Sequence, residues 1–152
     1  MKKYFPVIAC VVLLMSCSSW RSDKYVLQSN PIFDAQIETK DFYSFQLTIK
    51  NKSNDNIEIL WDKTLYIELN STNGGFSLGT EKLYEEKDNV IPKMIIFPGD
   101  TASRYIYPIA LRYWHRGWCR NIMDIGKHGM YLNIKAGDKE YREKMIINIA
   151  KE

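Results

Sequence analysis

Along most of the chain, apolar residues recur at every second position in short runs separated by turn residues, the pattern of half-buried strands. Tyr43, Phe45, Leu47 and Ile49 alternate with Ser44, Gln46, Thr48 and Lys50. Asn51 to Asn56 then supplies a turn, because Asn and Asp side chains bond nearby backbone. Ile57, Ile59 and Trp61 continue the alternation, which predicts a buried Trp61. Leu65, Ile67 and Leu69 form the apolar face of the next run, before a turn at Asn70 to Gly75. Gly79 to Asn89 is charged and reads as one helical turn or an irregular edge. Met94 to Phe97 reads as a short buried strand stopped by Pro98-Gly99-Asp100, and Thr101 to Ile109 as another strand with Pro108 at its edge or end. Arg112 to Lys127 breaks the alternation and reads as a loop, with a short helix near Asn121 to Ile125. The strongest hairpin signal is the last: Met130, Leu132 and Ile134 alternate, Gly137-Asp138 turns, and Met145, Ile147 and Ile149 alternate back.

No run carries a helical period long enough to cover a single sheet, so two sheets must cover each other. The expectation is an all-β antiparallel sandwich of about seven to eight strands over residues 32–152. Phe45 to Asn54, Ile57 to Asp62 and Ile96 to Asp100 together resemble small bacterial envelope lipoproteins with an immunoglobulin-like domain. That resemblance implies an immunoglobulin-like β-sandwich and carries over no catalytic residue.

Upstream, Met1-Lys2-Lys3 precedes a mostly apolar run from Tyr4 to Met15, and Ser16 precedes Cys17. A charged start, a short apolar core and a small residue before the cut describe a secretory signal peptide over residues 1–16. The run falls short of the ~20 apolar residues that a membrane span needs. Leu14-Met15-Ser16-Cys17 resembles the bacterial lipobox. This implies a Cys17 carrying acyl chains, a lipid anchor in the outer membrane because Ser18 rather than Asp follows, and a domain on the periplasmic side. Residues 17–31 read as a short tether, with Trp20 either at the membrane interface or a plain linker residue.

Of the 21 Lys and Arg residues, Lys2 and Lys3 belong to the leader, which leaves the rest nearly balanced against 18 Asp and Glu. That balance argues against nucleic acid as a partner, since phosphate binding needs a basic excess. Of three cysteines, Cys10 lies in the leader and Cys17 takes lipid, so Cys119 has no partner for an internal disulfide. His115 and Cys119 lie close in sequence, but a catalytic pair is made by spatial neighbours, and a small apolar role for Cys119 is favoured. His115, Cys119 and His128 lack the spacing of a zinc site, so no metal and no cofactor are expected.

The richest stretch runs from Arg104 to Arg120 and interleaves Arg104, Arg112, Arg116 and Arg120 with aromatic residues. Arg and aromatics are the residues enriched at binding hot spots, and loops are where such residues collect. Tyr113, Trp114, Arg116 and Trp118 are therefore the candidate binding loop. The functional expectation is a non-enzymatic, lipid-anchored binding module facing the periplasm, with an envelope protein or polymer as partner and the membrane held through the acyl chains. A structural subunit of a secretion, motility or uptake machine, or an inhibitor or exclusion lipoprotein, is the alternative. The anchor gives the first prediction. Cys17→Ser should abolish palmitate labelling and leave uncut precursor in the cell; unchanged labelling would contradict the lipobox reading.

Overall fold

The computed structural model describes residues 20–78 and 91–151. The expected signal peptide over residues 1–16, Cys17 and the charged stretch Gly79 to Asn89 lie outside the described residues. Within them, strands β1 (Trp20–Ser22), β2 (Tyr25–Leu27), β3 (Phe33–Glu38), β4 (Phe45–Asn51), β5 (Ile57–Ile59), β6 (Leu65–Glu68), β7 (Ser71–Thr72) and β8 (Phe76–Ser77) come first. Then follow β9 (Met94–Ile96), β10 (Thr101–Pro108), a single 3-10 turn at Ile109–Leu111, β11 (Arg112–Trp114), β12 (Trp118–Arg120), β13 (Gly126–Ala136) and β14 (Lys139–Lys151).

The fold is all-β and antiparallel. One sheet runs β1-β14-β13-β5-β9, with β6 beside β13 and β7 beside β6. A second runs β2-β3-β4-β10-β8, and β11 and β12 form a separate two-stranded ribbon. The inner faces of the two large sheets meet in one core. Phe45 of the second sheet lies 6.1 Å from the ring of Tyr66 in the first and 6.1 Å from that of Phe76. The alternation of Phe45, Leu47 and Ile49 and of Met130, Leu132 and Ile134 points all six residues inward, each essentially without exposure. Burying a side chain of this size contributes about 1.5–3 kcal/mol.

Several expectations are corrected. The described chain holds fourteen strands rather than seven or eight, because turns cut the runs into pieces of two or three residues and because residues read as tether and loop also pair. Within the expected tether 17–31, Trp20–Ser22 and Tyr25–Leu27 are strands of the two large sheets. Trp20 pairs with Lys151, and Tyr25–Leu27 pairs with β3. Trp20 is half-buried, with its ring 5.8 Å from that of Phe42. Trp61 stands in the turn after β5 and is only half-buried. That turn is pinned by Thr64, whose hydroxyl donates to the Leu60 carbonyl at 2.9 Å and accepts the Asn133 amide at 3.2 Å. Met94–Ile96 is an edge strand, with Ile95 and Phe97 exposed rather than buried. No helix forms at 121–125.

In β6 the face is the reverse of the expected one. Tyr66 belongs to the core, while Ile67 is buried outside it and Leu65 is half-buried. The reason is a polar partner. The Tyr66 hydroxyl lies 2.7 Å from Nδ1 of His128, which is itself fully buried. His128 Nε2 lies 2.8 Å from the Asp124 carbonyl. A carbonyl only accepts, so Nε2 carries the proton, Nδ1 is the acceptor, and the tyrosine donates. Both groups are satisfied where an unpaired one would cost about 1–3 kcal/mol. Two glycines are required by their surroundings. Gly99 takes φ +80° in the turn after β9. A Cβ on Gly129 would stand 1.9 Å from the Met145 carbonyl oxygen.

Burial holds the His128 imidazolium form down, against the opposing pull of the Asp124 carbonyl and of Glu68 and Asp124. A histidine whose folded pKa is depressed contributes stability that is present above its unfolded value, about 6.5, and is lost as pH falls below it. The urea midpoint should therefore drop between about pH 7.5 and 5.5, and the drop should shrink in His128→Gln. A flat wild-type profile over that range would contradict the neutral, buried imidazole.

Candidate functional site

The ribbon β11–β12 rises from Leu111 and Asn121, whose backbone bond of 2.8 Å closes its base. Its register sets Arg112 opposite Arg120, Tyr113 opposite Cys119 and Trp114 opposite Trp118. The chain reverses through His115, Arg116 and Gly117. Arg116 takes φ +52° and Gly117 φ +152°, and the His115 amide bonds the Gly117 carbonyl at 2.8 Å. A left-handed arginine costs of order 1 kcal/mol. The expected loop is thus a hairpin, and it brings Tyr113, Trp114 and Arg116 together at its exposed tip. Trp114 is 64% exposed and Tyr113 43%. Trp118 is placed by its backbone, and its side chain lies outside the described atoms.

The base of the ribbon rests on the outer face of the second sheet. Tyr107 and Ser77 are partners across β10 and β8, so both point away from the core. The Arg120 guanidinium lies over the Tyr107 ring, 4.1 Å from its centroid. Arg112 donates through Nη2 to the Ser77 hydroxyl. Tyr107 stacks in turn on Tyr43, with centroids 6.2 Å apart. Burial raises the Tyr107 hydroxyl, and Arg120 partly offsets this.

Two like charges face each other across this ribbon, which is unfavourable for directly opposed residues. Burial, and then Arg120, push the Arg112 guanidinium down from its ordinary value. The Nε atoms of Arg112 and Arg120 are buried and have no hydrogen-bond partner. Neither arginine forms an ion pair among the described residues. A ring face and a hydroxyl hold the two groups in place, and neither supplies negative charge. Chemically, the two guanidinium groups are the donors here that would match a carboxylate or phosphate oxygen.

Of the other residues weighed for chemistry, Cys119 meets the backbone of His115 across the turn of the ribbon, and His128 is held by other partners. Cys119 is half-buried, and its Sγ lies 3.8 Å and 3.9 Å from the Gly117 and His115 carbonyls. His128 is committed to Tyr66 and Asp124. No group of three His, Cys, Asp or Glu among the described residues is spaced to hold a metal ion. Tyr107 falls within the Arg104–Arg120 stretch, whereas Ser77 and Tyr43, which also pack at the base of the ribbon, were not legible from the sequence. Ser77 lies 35 positions from its partner Arg112, and only the sheet register joins them.

No protein-family model matches the chain, and no curated protein matches it either. The functional reading therefore rests on the geometry of the site. If the arginine pair accepts an anion, phosphate should raise the thermal stability of the domain above that in chloride at equal ionic strength. About 1.4 kcal/mol is expected at tenfold excess over the dissociation constant. Arg120→Gln should remove the increment. An equal increment in that variant would show that phosphate acts elsewhere.

Proposed function

We propose that this chain is a non-enzymatic, lipid-anchored envelope protein of a bacterium, in which an immunoglobulin-like β-sandwich serves as a binding module on the periplasmic face of the outer membrane. Its partner is an envelope protein or polymer carrying anionic groups, and the β11–β12 hairpin is the surface that meets it. The observation that carries this reading is the hairpin itself. It contributes little to the core, yet it sets an exposed Trp114 beside an arginine pair with no acidic partner among the described residues. A large exposed aromatic next to desolvated arginine is the composition of a binding hot spot. The strained Arg116 at the turn fits the same role, since costly backbone is kept where it serves a site.

Trp114→Ala combined with Arg116→Ala tests the reading. Exposed changes leave stability within ~0.5 kcal/mol, so the melting temperature should hardly move. Retention of the partner from solubilised envelopes should fall by about 2 kcal/mol or more, roughly thirtyfold. The protein should carry Cys17→Ser, since acyl chains would mask a weaker contact. Loss of folding in the double variant would show that the hairpin packs the domain rather than serving a partner.

A further inference from the structure

The two sheets share an end, and the chain enters the fold there. Trp20 opens β1 against Lys151, the last residue of β14. Its ring packs on Phe42, whose carbonyl accepts the Met123 amide at 2.6 Å. Ser22 and Gly126 both pair with Ile149, and the Leu69 amide bonds the Lys127 carbonyl at 2.8 Å. Segments 39–44, 69–70 and 121–126 therefore converge around the first strand.

This end carries apolar side chains that the core does not use. Leu69 is 56% exposed, Ile125 53% and Ile122 50%. Leu69 is costly twice over. It and Asn70 take φ +46° and +76° in the turn between β6 and β7, a conformation suited to Asn and Gly and poor for leucine. A leucine that its backbone disfavours and its core leaves in water needs another apolar neighbour. Exposed Lys40, Lys127 and Lys151 stand around the same end, with the exposed acids Asp23 and Asp124 among them.

We propose that this end of the domain is a membrane-contacting face, in which Leu69, Ile122 and Ile125 sit in the headgroup region of the bilayer that anchors the chain. The proposal rests on the lipid anchor assigned to Cys17. Trp20 lies three positions after Cys17, and an extended chain covers at most about 3.6 Å per residue, so the fold starts within roughly 11 Å of the anchor. At that distance the effective concentration of bilayer is high, and a contact too weak to hold a free protein is formed. Apolar side chains gain by leaving water for the acyl boundary, and lysines beside them favour anionic headgroups. β14 runs away from this end for 13 residues, so the Gly137-Asp138 turn is held roughly 40 Å from the surface.

All the described strands begin at Trp20 or later, so residues 1–17 can be replaced by a hexahistidine tag without cutting a strand. The tag holds the domain on vesicles of phosphatidylethanolamine and phosphatidylglycerol containing a nickel-chelating lipid, whether or not the cell acylates Cys17. In a Cys119→Ala background, the fluorophore NBD is attached through Ile122→Cys or Asp138→Cys. Doxyl-labelled acyl chains should quench NBD at 122 by about half and leave NBD at 138 unchanged, as expected for shallow insertion. Leu69→Glu with Ile125→Glu should remove the quenching at 122 while the protein stays on the vesicles. Lys127→Cys reports on the same face should Ile122→Cys not fold. Equal quenching at both ends, or none at 122 and 127, would overturn the proposal. Failure of the anchor itself is read separately, by palmitate labelling of the full chain.

Discussion

Eleven consecutive residues of β13, Gly126 to Ala136, pair in register with β14, and both outer edges of that ladder are occupied. β1 extends it beyond β14, and β5 and β6 both pair with β13. Nearly every strand of the first sheet thus takes its register from this one hairpin. The ladder also fixes the core chemistry. Its register places His128 opposite Glu68, next to Tyr66 on β6, so the bulky tyrosine turns inward and its hydroxyl finds the imidazole. Slipping β13 by one residue would turn Met130, Leu132 and Ile134 outward and leave that hydroxyl unpaired.

The second sheet is tied to the first by packing and by a few polar bonds. Asn51, at the end of β4, is fully buried, and its amide donates to the Ile96 carbonyl of β9 at 2.9 Å and to the Asp55 carbonyl at 2.8 Å. With that sheet fixed, Tyr107 and Ser77 present a firm outer surface, and the β11–β12 ribbon rests on it. A short two-stranded ribbon is marginal by itself, and the arginine contacts to Tyr107 and Ser77 seat its base on the sheet.

The fold was legible where one face of a strand is dry and the other wet. Phe45 to Ile49 and Met145 to Ile149 follow their alternation, and in β13 Met130, Leu132 and Ile134 all turn inward although Asn133 between them is buried as well. It was not legible where a polar group decides orientation, as Tyr66 does through His128. Nor was it legible where both candidate faces are apolar, as in Met94–Phe97, whose edge position leaves Ile95 and Phe97 in water. Trp20 to Leu27 looked like linker because two three-residue strands carry too few residues for a period to show. At the candidate site, the mixture of Arg and aromatic residues marked the stretch that folds as the β11–β12 ribbon. The stacking of Arg120 on Tyr107 and the bond from Arg112 to Ser77 depend on contacts between distant segments that no local pattern encodes.

The account stands on the hairpin tip being a surface that meets a partner. A photo-crosslinking amino acid placed at Trp114 of the intact chain, in living cells, tests this most directly, with the same group at Asp138 as the comparison. A discrete adduct of one mass from position 114, absent from position 138, is expected if the hairpin tip meets a partner. No adduct at 114, or the same pattern of adducts at both positions, would contradict it.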